Sequence, residues 1–128
     1  MGQRFLIDTN VIIDYISNLL SDKASLFVEN IFNTDFNISV IVKIETLGYN
    51  DVPAKIQLLE DFLVSATLYP LDDAVTQQTI ELRRNKKLKL GDAIIAATAL
   101  VYNLTIITRN TDDFKKIDGL AFIDPHVL

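Results

Sequence analysis

The chain has 128 residues, 49% of them hydrophobic, and a mean hydropathy of +0.25, which fits one domain (1–128) with a substantial core. A net charge of −5 argues against general nucleic-acid affinity, and the lack of cysteine excludes a disulfide framework or thiolate metal site, making a cytoplasmic location the simplest expectation. The longest apolar stretch, Ala93 to Tyr102, contains Thr98 and cannot cross a bilayer, and the N-terminal apolar run meets Asp8 too soon for a signal peptide.

Arg4-Phe5-Leu6-Ile7 is an apolar run without alternation, which predicts a short strand in a parallel sheet. Thr9 or Asn10 is placed to cap a helix through Val11–Ile16, and a second helix is expected from about Asp22 to Phe32. Phe36–Ile38 predicts a strand, after which Ser39 caps a helix from Val40 to Tyr49. Pro53 suits the first turn of an amphipathic helix to Val64. Thr67–Tyr69 predicts a third strand, and Asp72 or Asp73 caps a long helix towards Asn85. Asp92 to Tyr102 predicts a helix whose small residues permit close packing. Leu104–Thr108 is the clearest strand; a turn at Asn110, a short helical piece to Lys116 and a last strand, Leu120–Ile123, follow. Strands separated by helices predict an α/β/α sandwich around a mainly parallel sheet of about five strands.

Three carboxylates fall where such a fold expects apolar or neutral residues. Asp8 ends the first strand, where parallel sheets place their sites. Glu45 shares a helical face with Ile41, Val42, Gly48 and Tyr49, a face expected to be buried. Asp92 opens the apolar run Ala93–Ala97. Each alone has a plainer role: Asp8 and Asp92 as helix caps, Glu45 as an exposed side chain. Together they supply the hard oxygen ligands that Mg²⁺ or Mn²⁺ prefers, and a divalent cation offsets the cost of desolvating them.

Arg83-Arg84-Asn85-Lys86-Lys87-Leu88-Lys89 packs five cations into seven residues just before Asp92. It is either a solvated helix end or a phosphate-contacting rim, and its position beside Asp92 favours the rim. The sole histidine, His126, is expected in an exposed tail, against a histidine-pair mechanism. With four glycines in all, no phosphate-binding loop appears.

Ile7–Asp14, the helix from Ser39 through Glu45, Leu90–Ala97 and Ile107–Phe114 together resemble the PIN domain, and within it the VapC toxins of toxin–antitoxin pairs. The resemblance spans essentially the whole chain. It implies a metal-dependent endoribonuclease, usually a homodimer, neutralised by a small antitoxin protein. Asp8, Glu45 and Asp92 match the family's three acidic positions. At the usual fourth position stands Asn110, with Asp113 the candidate substitute as a metal ligand. In-line attack by water would leave 5′-phosphate and 3′-hydroxyl ends. Thr9, Asn10 and Thr108, with Asn110, are expected to support the acidic cluster, and Arg109 to contact RNA phosphate or pair with a carboxylate. Arg83, Arg84, Lys86, Lys87 and Lys89 complete the expected RNA-binding set.

The alternatives are a PIN nuclease of RNA processing without an antitoxin, and a PIN-like module that only binds. A response-regulator receiver would need an acidic pair near the first strand and a late strand-end lysine, and neither is evident. Tyr15, Ile16, Leu19 and Leu20, and the Pro53–Val64 helix, are candidates for a dimer or antitoxin surface, or equally for the core.

Overall fold

In the computed structural model, which describes residues 2–128, β1 (Phe5–Ile7) passes into α1 (Thr9–Ile16) through a single residue, Asp8. β2 (Asn37–Ser39) enters α3 (Val40–Leu47) with no intervening residue at all. These abrupt strand-to-helix junctions put polar side chains at the carboxyl ends of the strands. Between them runs α2 (Asp22–Thr34), and beyond them lie α4 (Pro53–Leu63), β3 (Thr67–Tyr69), α5 (Asp73–Asn85) and α6 (Leu90–Tyr102). The chain then forms β4 (Thr105–Ile107), α7 (Thr111–Phe114) and β5 (Phe122–Ile123), and closes on a 3-10 turn, Pro125–Val127.

All the strand pairings are parallel: β4 lies between β1 and β5, and β2 pairs with β3. The expected five strands are present, but the hydrogen-bond ladder is divided into a three-stranded and a two-stranded piece. β1 and β2 lie side by side at the seam. Side chains replace the ladder there: Asn37 Nδ2 donates to the Phe5 carbonyl at 2.8 Å, and the Phe5 amide donates to Asp35 Oδ2 at 3.1 Å. A buried backbone group left unpaired is costly, and these side chains satisfy two of them.

The helices flank this sheet, as the alternation of elements predicted. α6 is buried on every side from Ala93 to Ala99, which an all-apolar helix requires, and its alanines allow α5 and α3 to pack close to it. It begins at Leu90, two residues earlier than expected, with Asp92 still in its first turn. α1 is capped by Asp8 rather than by Thr9 or Asn10. Asn103 ends α6 in the left-handed region (φ 57°), where asparagine is tolerated.

The segments weighed as interfaces divide between core and surface. Leu20 is buried, and Tyr15 packs against Phe32 and Phe62 with ring centroids 5.0 and 5.9 Å apart. Leu19, Leu58 and Val64 remain exposed. Among the described residues no helix is long and apolar enough to cross a membrane.

Candidate active site

The carboxyl ends of β1 and β4 are neighbours in the sheet, and the residues just beyond them are tied together. The Asp8 amide extends the ladder by donating to the Ile107 carbonyl at 3.0 Å. Asp8 itself is 4% exposed. Its Oδ1 accepts from the Thr9 amide at 2.8 Å, and its Oδ2 accepts from Thr108 Oγ1 at 2.8 Å and Asn10 Nδ2 at 3.2 Å. Asn10 Oδ1 in turn accepts from the Arg109 amide at 3.0 Å, and Thr108 Oγ1 from the Asn110 amide at 2.9 Å. Burial nonetheless pushes the Asp8 carboxyl above its ordinary range, and the negative charge of Glu45 adds to the shift. The hydrogen bonds oppose that shift without cancelling it.

Glu45 comes from α3 and accepts from Thr9 Oγ1 at 2.9 Å, so it does join the group. It does so from the solvent side, contrary to the buried position expected. The helix ends at Leu47, which leaves Gly48 and Tyr49 outside it and exposed; the face α3 buries is that of Val42 and Thr46. α6 comes up against this place at Gly91, where a side chain would find ordinary contact rather than a clash. A Cβ there would stand 3.4 Å from Glu45 Oε2 and 3.6 Å from Ile41 Cγ1.

Asp92, on the next residue, is half-buried. Its carboxyl is pushed up to about 6, first by burial and then by the negative charges of Asp8 and Asp113, with Lys89 acting in the other direction. Asn110 stands between the two carboxylates that its neighbours supply: its Nδ2 lies 3.4 Å from Asp92 Oδ2 and 3.0 Å from Asp113 Oδ2. The Asn110 hydrogen bond holds Asp113 below its ordinary range, assisted by the Lys116 charge. Within this pair Asp92 therefore takes the proton first.

Asp8, Thr9, Asn10, Glu45, Asp92, Arg109 and Asn110, with Ile13, Asp14 and Tyr49, line one open cavity of about 400 Å³. Asp14 is a member that the sequence reading did not single out. It is 3% exposed, receives Arg109 Nη1 at 3.1 Å on Oδ2, and has His126 Nε2 2.9 Å from the same oxygen. His126 is therefore not a free tail residue: the 3-10 turn brings it back onto α1. The burial that marks Asp8 also marks Asp14, an acid three residues from the buried Val11 on an apolar helix. For Arg109, the structure shows the carboxylate pairing of the two roles expected.

The cationic run does not form one rim. Lys87 and Lys89 line a hollow with Leu88, Asp113 and Lys116. Arg83 and Arg84 face another with Thr79, Ile80 and Leu90, and Lys86 lies in a third beside Glu81 and Asn85. The end of α5 splays the run over different faces.

Among the described residues no three acidic or histidine side chains converge into a ready-made metal cluster. The donor chemistry still fits a hard divalent cation. Asp8, Glu45 and Asp92 offer only oxygen and share one cavity, in which burial first and neighbouring negative charge second raise Asp8 and Asp92. Mg²⁺ binds through one or two carboxylates while keeping several waters, so an open site of this kind suits it.

The family model described as PIN domain matches residues 5–120. No curated protein matches the chain in sequence. Among solved structures, a toxin–antitoxin complex from Klebsiella pneumoniae contains a chain 31% identical, with a TM-score of 0.77, 94% of this chain and 96% of that one being covered. DNA-bound VapBC from Salmonella typhimurium is similar at TM-score 0.81 and 23% identity, covering 97% and 99%. FitAcB from Neisseria gonorrhoeae is similar at TM-score 0.76 and 24% identity, again covering 97% and 99%.

Proposed function

The chain belongs to the PIN-domain family, and from that premise we propose that it is a metal-dependent endoribonuclease, the toxin of a VapC-like toxin–antitoxin pair. The observation that carries the proposal is the gathering of Asp8, Glu45 and Asp92 around one open cavity at the carboxyl ends of β1 and β4. The likeness to the chain from the Klebsiella pneumoniae toxin–antitoxin complex supports an antitoxin partner. A homodimer acting in the cytoplasm completes the proposal.

Asp8, Glu45 and Asp92 would hold Mg²⁺ or Mn²⁺, with Asp113 as a fourth acid reached through Asn110. The chemistry such a cation would supply is polarisation of the scissile phosphate and a water of lowered pKa, and in-line attack by water would leave 5′-phosphate and 3′-hydroxyl ends. The chain's own contribution is positional. Three donors hold Asp8 in a single orientation, two of them carried by Thr9 and Thr108, and the third by Asn10. Thr9 also fixes Glu45. One of the three carboxylates would also take the proton of the attacking water. Arg109 presents an exposed guanidinium at the same cavity, its charge only partly engaged by Asp14.

The test is cleavage of RNA by the purified chain with Mg²⁺ or Mn²⁺, followed by end-group analysis. Asp8→Asn and Asp92→Asn are each expected to lower the rate at least about a hundredfold. Unchanged cleavage in either variant would remove the assigned mechanism. Co-purification of a small protein encoded beside this chain, which suppresses the cleavage, separates a toxin from an RNA-processing nuclease.

A further inference from the structure

The linker between α5 and α6 builds a charged hollow that the acidic cavity does not include. Lys86 leaves α5 in extended backbone (φ −133°, ψ 148°), and Lys89 is extended too (φ −65°, ψ 150°). Side chains alternate along extended chain. Leu88 accordingly turns into the core, 7% exposed, while Lys87 and Lys89 both face solvent. Lys116, just beyond α7, comes from the other side, and with Asp113 the residues enclose a hollow of about 340 Å³.

Gathering cations opposes itself electrostatically unless an anion is there to meet them. Lys116 has Asp113 at 3.6 Å; among the described residues, Lys87 and Lys89 have no carboxylate within ion-pair distance. Asp113 is also the partition between this hollow and the acidic one. Its Oδ1 faces Lys116, its Oδ2 takes the Asn110 amide, and Asn110 lines the cavity of Asp8 and Asp92. The two hollows are thus neighbours across one side chain.

Resting on the nuclease proposal above, we infer that the Lys87–Lys89–Lys116 hollow is a phosphate subsite for the RNA strand. It takes the backbone phosphate of a nucleotide next to the bond cut at the acidic cavity. A single strand carries an anion at every nucleotide, so a strand cut at one hollow must place another phosphate close by. The lysines stand there, whereas Arg83 and Arg84 face a separate hollow. An acidic peptide could also meet the lysines, but it gives no reason for them to adjoin the cleavage cavity.

The experiment measures binding of a short, labelled single-stranded RNA to the Asp92→Asn chain across a salt series. In that background Lys87→Gln, Lys89→Gln and Lys116→Gln together should weaken binding about tenfold at low salt. They should also flatten the log–log salt slope by about 0.7, the loss of one phosphate contact. Lys23→Gln with Lys115→Gln, on exposed positions outside the hollow, should change affinity less than about twofold. In the cleaving chain the triple variant should raise KM. Thermal melts check that each variant is folded, as exposed lysines should allow.

Equal binding by the triple variant and its background overturns the subsite, and so does an equal loss in the Lys23/Lys115 control. A glutamate-rich peptide that binds through these lysines while RNA does not also overturns it, in favour of a protein partner. Lysine-dependent RNA binding by a chain that never cleaves RNA supports the subsite as an RNA contact and overturns the nuclease proposal alone. No RNA binding at all overturns both.

Discussion

Asp14 and Arg109 form an ion pair at 3.1 Å in which the carboxylate side chain is 5% exposed and the guanidinium 57%. The pair joins α1 to the loop after β4, and His126 joins the C-terminal turn to the same carboxylate. A carboxylate this deeply buried costs free energy unless its partners stay in place. Asp14 is also the hub of both contacts, so neutralising it weakens two where removing one partner severs one, and should destabilise more. Asp14→Asn is expected to lower unfolding free energy by about 2 kcal/mol in urea titrations, and His126→Ala by about 1 kcal/mol or less. Equal losses would mean that the turn, not the carboxylate, organises this corner.

Asp92 predicts a pH dependence with a definite sign. Its carboxyl titrates at about 6 in the folded chain, against an ordinary value near 4 when unfolded. Between about pH 4 and pH 6 the folded state keeps a proton that the unfolded state has released, so this group's contribution to stability falls as pH rises. Above that window, metal-free protein carries an uncompensated charge. Asp92→Asn should then stabilise the metal-free chain at pH 7, by roughly 1 kcal/mol once the solvent exposure of a half-buried group is allowed for. At pH 4 the gain should disappear. Melting temperatures of both proteins across this range, in chelator, decide it.

Much of the fold and much of the candidate site are legible in the sequence, and what is not legible depends on tertiary packing. The apolar runs of β1 and β4 and the small residues of α6 signal buried elements, because a continuous hydrophobic run is stable only when both its faces are covered. The carboxylates at strand and helix ends are visible for the complementary reason. Glu45 lies on the solvent side rather than the expected buried face because packing turns Val42 and Thr46 inward and leaves Ile44 and Glu45 outside. The splitting of the cationic run follows from where α5 stops and extended chain begins. Boundaries, set by capping and tertiary packing, are less visible in sequence than the elements they end. The contact between Asp14 and His126 needs the fold itself, since 112 residues separate them.

Thr108 offers a test of how the acidic cluster is oriented. Its hydroxyl is buried, donates to Asp8 Oδ2 at 2.8 Å, and accepts from the Asn110 amide at 2.9 Å. Thr108→Val keeps the shape and removes these bonds together with the weaker one from Asn10 Nδ2 at 3.4 Å, which should cost about 2 kcal/mol of stability. It should also lower kcat for RNA cleavage by about tenfold, because Asp8 loses one of the donors that fix it. Thr108→Ser should restore most of the rate. If serine fails to rescue, packing of the methyl group, not the hydroxyl, is what the site requires.

Asn110 decides whether a fourth charge helps or harms. Its amide donates towards both Asp92 and Asp113, so it relieves repulsion between two carboxylates without adding a third. Asn110→Asp would reverse that: the donor is lost and a like charge enters beside Asp92, already raised by its acidic neighbours. In chelator the variant should melt several degrees lower than the parent chain at pH 7, the equivalent of about 1–2 kcal/mol. With saturating Mn²⁺ the order should narrow or invert, since an added carboxylate strengthens binding of a hard cation. The measurement is the Mn²⁺-dependent rise in melting temperature of each protein. A larger rise in the parent chain would show that Asn110 is a better partner for the site than an aspartate at the same position.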